Sequence, residues 1–213
     1  MNTITDRIRK FEISAVVLTV AGKFIFADYL NWKLPYDTIA ILSWTLYVVK
    51  RKKQIPGIAK YWGFRTDNIK KVTMIILPYG VSMAILCFVV GIYRDTINIT
   101  WHIIPILILY PIWGTVQQFL LMSLTSGNLN DLSNSNLNKG LVVLVSAVLF
   151  GIIHYPYTWL MIGTFVLAIF YGFVYLKEKN LYVLGVFHGW LGAILFYTVV
   201  GRDPFNELIG KVF

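Results

Sequence analysis

The stretch TFVLAIFYGFVYLKEKNLYVLGVFHGWLGAIL, residues 164–195, decides the fold class because it joins two apolar runs through a short charged turn. Runs of roughly 18 or more residues without charge are typical of membrane-spanning helices. Similar runs recur along the 213 residues of the chain, of which 57% are hydrophobic and only 14% are charged. Soluble domains carry about 25% charged residues. We therefore predict an all-α fold, a polytopic transmembrane helical bundle.

The apolar runs predict about seven spans, with a range of six to eight because the boundaries of such runs are uncertain. The predicted spans are 13–31, 36–49, 72–93, 101–125, 140–155, 157–176 and 181–200. The segment 126–140 is rich in Asn, Ser and Gly, which indicates a linker between the fourth and fifth spans. No internal repeat divides the chain, so residues 1–213 are predicted to form a single integral membrane domain.

The basic residues are distributed unevenly, which predicts the orientation of the chain. Residues 50–71 hold eight Lys and Arg between two apolar spans, as expected of a solvated cytoplasmic loop that faces anionic lipid headgroups. If the N-terminus is cytoplasmic, fourteen Lys and Arg lie on that side. Four lie on the other side: Lys33, Arg94, Arg202 and Lys211. The positive-inside rule thus predicts a cytoplasmic N-terminus in a protein of the plasma membrane.

The net charge of +9 raises the question of a nucleic-acid partner. No RNA- or DNA-binding pattern accompanies the basic residues, and their clustering between spans is explained by membrane topology. We therefore expect the lipid bilayer, and no nucleic acid, as the partner of this charge.

Polar residues inside the spans are the strongest functional indicators in such a sequence, since each needs a partner or water. They are Lys23, Asp28, Gln117, Gln118, His154 and His188. Lys23 and Asp28 are five residues apart, so they are not expected on one face of an α-helix, and either a structural ion pair or a contact to another helix is expected of them. The two histidines and two glutamines come from three separate spans, which predicts a shared polar cavity.

Three short motifs carry a resemblance to a known family. They are QQFLLM at 117–122, FGIIH at 150–154 and HGWLG at 188–192. Their order and spacing resemble the CPBP family of intramembrane proteases, which process CAAX proteins and bacteriocins. In that family Glu-Glu-x-x-x-Arg is followed by Phe-x-x-x-His and His-x-x-x-Asn, each on a transmembrane helix. The segments that resemble it are 110–126, 148–176 and 181–196, within a family-like core of 101–200.

The match departs from the family at four of its seven motif positions. FGIIH matches in full, with Phe150 and His154, and His188 matches the third motif. The two Glu positions hold Gln117 and Gln118. The remaining differences are Met122 in place of Arg and Gly192 in place of Asn.

The resemblance implies a catalytic site at Gln117, Gln118, His154 and His188, with Phe150, Met122, Gly192 and Trp113 as cavity residues. In the family, one Glu is thought to activate water, and the His and Asn residues hold that water and the oxyanion. A carboxylate accepts a proton near neutral pH, whereas a neutral amide does not. Gly192 also lacks an oxyanion donor, typically worth about 3 kcal/mol.

Three functions are compatible with these residues, and whether the protein is an enzyme stays open. The first is a non-catalytic pseudoprotease scaffold that binds a protein or peptide partner. The second is a divergent intramembrane endopeptidase, in which His154 or His188 is the base and a membrane or lipidated peptide is cut. The third is a metal or haem protein with the two histidines as ligands. Two histidines without a Cys or carboxylate ligand make an incomplete metal site. We favour the scaffold and expect no cofactor and no metal.

Overall fold

A computed structural model describes residues 4–133 and 137–209 of the chain. Lys211, which entered the charge count, and residues 134–136 of the predicted linker lie outside the described residues. Within the described ranges the chain forms helices and no strand. The all-α prediction is therefore confirmed.

The helices follow one another through the described part of the chain. They are α1 (Asp6–Gly22), α2 (Lys33–Gln54), α3 (Ile58–Trp62), α4 (Ile69–Tyr93), α5 (Ile103–Gln118), α6 (Asn128–Asn130), α7 (Lys139–Ile152), α8 (Thr158–Glu178), α9 (Leu181–Leu195) and α10 (Pro204–Ile209). Three of them continue as π-helix, which repeats its hydrogen bonds every five residues. The continuations are Lys23–Tyr29 after α1, Phe119–Gly127 after α5 and Phe196–Val200 after α9.

Four helical segments among the described residues are long and apolar enough to cross a membrane. They are Ile69–Tyr93, Ile103–Asn130, Thr158–Glu178 and Leu181–Val200, and each coincides with a predicted span. The predicted spans 13–31, 36–49 and 140–155 also fall on helices, but α7 is apolar over only 14 residues. The count of seven spans therefore stays a prediction.

Glycines bring α5 and α9 into the most extensive helix contact of the bundle. A Cβ atom built on Gly114 would lie 2.6 Å from the carbonyl oxygen of Gly185. A Cβ atom on Gly189 would overlap the peptide that joins Tyr110 to Pro111. Small residues at such contacts let helix backbones approach closely, as is common between membrane helices. The approach aligns the face of α5 that carries Gln117 with α9.

The basic segment 50–71 is more ordered and more buried than the solvated loop that its charge predicts. It contains α3, where Ile58 and Trp62 are four residues apart and are 2% and 1% exposed. Glycines with positive φ, Gly57 and Gly63, begin and end this short helix. The Trp62 ring contacts Phe119 at 5.1 Å between ring centroids. The prediction of a solvated loop was wrong for α3, because the burial of two apolar side chains on one face of this helix stabilises it despite the surrounding charged residues.

A buried carboxylate, Glu12, joins α1 to α2 and α6. Its side chain is fully buried, and the hydroxyl group of Tyr47 donates a hydrogen bond to Oε1. Asn128 Nδ2 donates to Oε2 at 2.5 Å, and Arg51 Nε lies 3.9 Å from Oε1. A buried charge is tolerated only with such partners. The sequence did not single out Glu12, because it directly precedes the predicted first span.

A second carboxylate, Asp131, extends this polar cluster to the turn between α8 and α9. Tyr61 donates to it at 2.8 Å, and the side-chain nitrogens of Lys179 and Arg9 lie 3.3 Å and 3.6 Å away. Burial acts to raise the pKa of Asp131, but hydrogen bonds from Asn130 and Tyr61 and the charge of Lys179 outweigh it. The pKa of Asp131 is therefore below its ordinary value, and the carboxylate stays charged.

Substitution of Gly189 tests the close contact between α5 and α9. We expect Gly189→Ala to lower the free energy of unfolding by about 1–3 kcal/mol, because the added methyl group overpacks the interface. Gly192→Ala is the matched control, since a Cβ atom there meets only a Tyr110 ring carbon at 3.9 Å. Thermal unfolding followed by tryptophan fluorescence in detergent measures both. Equal midpoints for the two variants would contradict the described contact.

Removal of the Glu12 carboxylate tests the buried cluster. We expect Glu12→Ala to destabilise the protein by roughly 3–5 kcal/mol, because Arg51 is left as a buried charge without its counter-ion. The control is Asp67→Ala, which removes only an exposed pair with Arg65 and should change the unfolding midpoint little. The same unfolding assay applies, and a similar small effect for both variants would refute a supporting role for Glu12.

Candidate functional site

A cavity of about 360 Å³ lies among α4, α5, α8, α9 and the turn that follows α7. Gln117, His154 and His188 all line it, together with Trp113 and Gly192. The structure thus brings together three of the four polar residues that were predicted to share a cavity. Their catalytic role stays a prediction.

His188 is held by a direct hydrogen bond to Gln117. The distance between His188 Nε2 and Gln117 Oε1 is 2.9 Å, and because an amide oxygen only accepts, Nε2–H is the donor. The other ring nitrogen, Nδ1, is buried and has no hydrogen-bond partner among the described residues. Gln117 therefore selects the tautomer of His188 and holds its ring in place.

His154 directly follows the end of α7 and is fixed by the backbone of that helix. Its Nδ1 lies 2.7 Å from the carbonyl oxygen of Phe150, so Nδ1–H donates and Nε2 carries the lone pair of the neutral ring. The Phe150 ring contacts both histidines, with ring centroids 5.0 Å from His154 and 5.3 Å from His188. Phe150 thereby spaces the two imidazoles, and it lines a small neighbouring cavity of about 60 Å³.

The two adjacent glutamines point to different surroundings. Gln118 is fully buried and does not line the cavity, and neither its Oε1 nor its Nε2 has a hydrogen-bond partner among the described residues. Met122, four residues later, is also fully buried and lies in the apolar core rather than at the cavity. Of the four predicted cavity residues, Trp113 and Gly192 line the cavity, Phe150 borders it and Met122 does not.

The charged residues that line the cavity are both lysines. Lys23 and Lys33 are part of its wall, and no Asp or Glu is present among the described lining residues. Lys23 Nζ also donates to the carbonyl oxygen of Tyr155 at 3.2 Å, next to His154 in the chain. Only Lys23 had a sequence signal, as a charge within a predicted span. Lys33 had none, because a lysine between spans is ordinary.

Lys23 and Asp28 form a structural ion pair of 2.6 Å, which is one of the two roles expected of them, although they were not expected to lie on one face. That expectation assumed an α-helix. The segment Lys23–Tyr29 is a π-helix, whose wider turn brings residues five apart together.

The donor set does not suit a metal. Within residues 4–133 and 137–209, no group of three or more His, Cys, Asp and Glu side chains is placed to bind one. Two imidazoles without a thiolate or carboxylate ligand are an incomplete ligand set for zinc or iron. His188 with its hydrogen bond, the second imidazole and the apolar wall together form an arrangement that suits a ligand other than a metal ion.

Comparison with known proteins finds a family match over part of the chain. Residues 97–194 match the family described as type II CAAX prenyl endopeptidase Rce1-like. This segment holds all three motifs, so the resemblance to the CPBP family is confirmed over that part of the chain. The match and the apolar helices support an integral membrane protein. No curated protein and no solved structure matches the chain.

The unequal surroundings of the two glutamines predict opposite effects of the same substitution. We expect Gln117→Met to destabilise the protein by about 1–3 kcal/mol, because Nε2–H of His188 loses its acceptor. Gln118→Met should be neutral or stabilising, since it removes a buried amide that has no partner among the described residues and nearly keeps its volume. Unfolding midpoints of the two variants measure this difference, and an equal loss in both would contradict it.

Proposed function

We propose that this protein is a non-catalytic CPBP-type membrane scaffold that binds an apolar part of a membrane or lipidated protein or peptide partner in its cavity. The observation that carries the proposal is the make-up of the cavity wall. His154 and His188 are present there, whereas the first position of the family's carboxylate pair is Gln117 and no Asp or Glu lines the described cavity.

The chemistry of Gln117 supports binding over hydrolysis. Its Oε1 accepts a hydrogen bond from His188, and it stands at the motif position where the family has the carboxylate that is thought to activate water. A neutral amide orients water and does not remove its proton. Gly192 likewise supplies no side-chain donor for an oxyanion. Both chemical functions that the family assigns to these positions are therefore missing.

The first motif lacks both the second Glu and the Arg of the family. Gln118 and Met122 stand where the family has Glu and Arg, and both are fully buried here. Loss of one member of a buried ion pair destabilises strongly, whereas replacement of both members by neutral groups is often tolerated. The paired change is what a stable fold without the charged motif requires.

One observation favours the alternative of a divergent endopeptidase. Because Nδ1–H of His154 is bound to the Phe150 carbonyl, its Nε2 lone pair is left for a general base in a residue that lines the cavity. In that mechanism Gln117 would position the water and His154 would accept its proton.

A cleavage assay distinguishes the two functions. Purified protein in liposomes is incubated with fluorogenic membrane-anchored and prenylated peptides, and we expect no cleavage by the wild type. Gln117→Glu with Gly192→Asn should gain activity, because it restores a carboxylate beside His188 and an amide donor where a Cβ atom fits. Cleavage by the wild type that disappears in His154→Ala would establish the endopeptidase instead.

The matched control uses the neighbouring glutamine. Gln118→Glu with Gly192→Asn adds the same charge, but in the buried core rather than at the cavity wall. It should remain inactive. Adding Gln118→Glu and Met122→Arg to the active pair tests whether the buried ion pair of the family raises the activity further.

A further inference from the structure

We propose that the occupant of the cavity is an anionic lipid, with one apolar chain between the helices and a carboxylate or phosphate group at Lys23 and Lys33. The inference rests on the proposed function, since it names the class of molecule that the same cavity binds.

The size and wall of the cavity suit a single extended chain. Its volume of about 360 Å³ is at the lower end of small-molecule pockets, which run from roughly 300 to 1,000 Å³. An α-helix of a partner, about 10 Å across, is too wide for it. Most of the inner wall is apolar, as in Met83, Cys87, Leu160, Leu167, Leu191, Leu195 and Phe196.

The charges that an occupant meets are positive. Lys33 is exposed and, among the described residues, its ammonium group makes no hydrogen bond or ion pair. Lys23 is paired with Asp28, and Asp37 acts on Lys33 electrostatically from one turn away. Neither Asp28 nor Asp37 lines the cavity, so the charged side chains in its wall are the two lysines. An anionic group is the complement of this mouth.

Exposed aromatic residues place the mouth at the depth of lipid headgroups. Tyr155 and Tyr157 line the cavity and are 60% and 44% exposed, and Tyr29 and Trp32, which lie between the two lysines in the chain, are 85% and 58% exposed. Tyr and Trp concentrate at membrane–water interfaces, where lysine side chains also extend toward the headgroups. A lipid therefore has its charged end at the level of Lys23 and Lys33, while its chain lies in the cavity between the apolar residues of the wall.

The single cysteine of the chain provides the assay. Cys87 lines the cavity and is 7% exposed, so a bound chain should shield its thiol from a small alkylating reagent. The full-length protein in an uncharged maltoside detergent is alkylated with and without palmitate, hexadecyl phosphate, hexadecanol or a prenylated peptide. We expect palmitate or hexadecyl phosphate to slow alkylation severalfold at concentrations where the alcohol has little effect. Their comparison decides whether a carboxylate or a phosphate is preferred.

Substitutions on α2 distinguish a direct contact between Lys33 and the anionic head group from an effect of the overall positive charge. Lys33→Gln should abolish most of the protection by the anionic amphiphiles, and Lys33→Arg should retain it. Lys53→Gln is the matched control, because it removes the same charge from the same helix about 30 Å away and should change nothing. Cys87→Ser should show no labelling, which assigns the signal to the cavity.

The outcomes separate this inference from the proposed function. Equal protection by hexadecanol, or unchanged protection in Lys33→Gln, would overturn the anionic head group and leave binding in the cavity intact. Protection only by a prenylated peptide would overturn the lipid while supporting the proposed function. No protection by any of these amphiphiles or by the peptide would overturn both.

Discussion

The contact between α5 and α9 is the constraint on which the cavity depends. Apolar helices gain little from hydrophobic burial inside a lipid bilayer, so close packing and hydrogen bonds must hold them together. Gly114, Gly185 and Gly189 supply that closeness, and the resulting backbone approach leaves no room for a side chain. The same approach sets Gln117 at 2.9 Å from His188. Packing and the polar site are therefore one structural feature, and a methyl group in the interface disturbs both.

The cavity and the cluster around Glu12 are two separate groups of polar side chains with different composition. The cavity holds His and Gln side chains beside two lysines, whereas the cluster around Glu12 pairs buried charges. Glu12 on α1 precedes Lys23, the first residue of the π-helix that continues α1, by eleven residues, which is about 16 Å along a helix. The Glu12 cluster joins α1, α2 and α6 without a contribution to the cavity wall. The buried charges of this cluster are therefore separate from the cavity.

The motif positions are held in place without a carboxylate. His154 and His188 are held by a backbone carbonyl and by Gln117, neither of which requires a carboxylate. Gln118 and Met122 are fully buried neutral side chains at positions where the CPBP motif has Glu and Arg. The charged residues at the cavity are Lys23 and Lys33, which lie outside the family motifs. Among the described residues, the positive charge therefore lies at the cavity wall and not at the motif positions.

Local patterns in the sequence determined the helical class and the positions of the apolar runs, because hydropathy depends on neighbouring residues. Motif spacing singled out Gln117, His154 and His188 as candidate residues of the cavity. Only the tertiary structure decided that Gln118 and Met122 face the core, since adjacent residues on a helix point in different directions. It also decided the Lys23–Asp28 pair, because a π-helical turn cannot be read from residue types, and the burial of Glu12, whose partners are distant in the chain. Side-chain surroundings are set by contacts between helices, and those contacts are not written in any one segment.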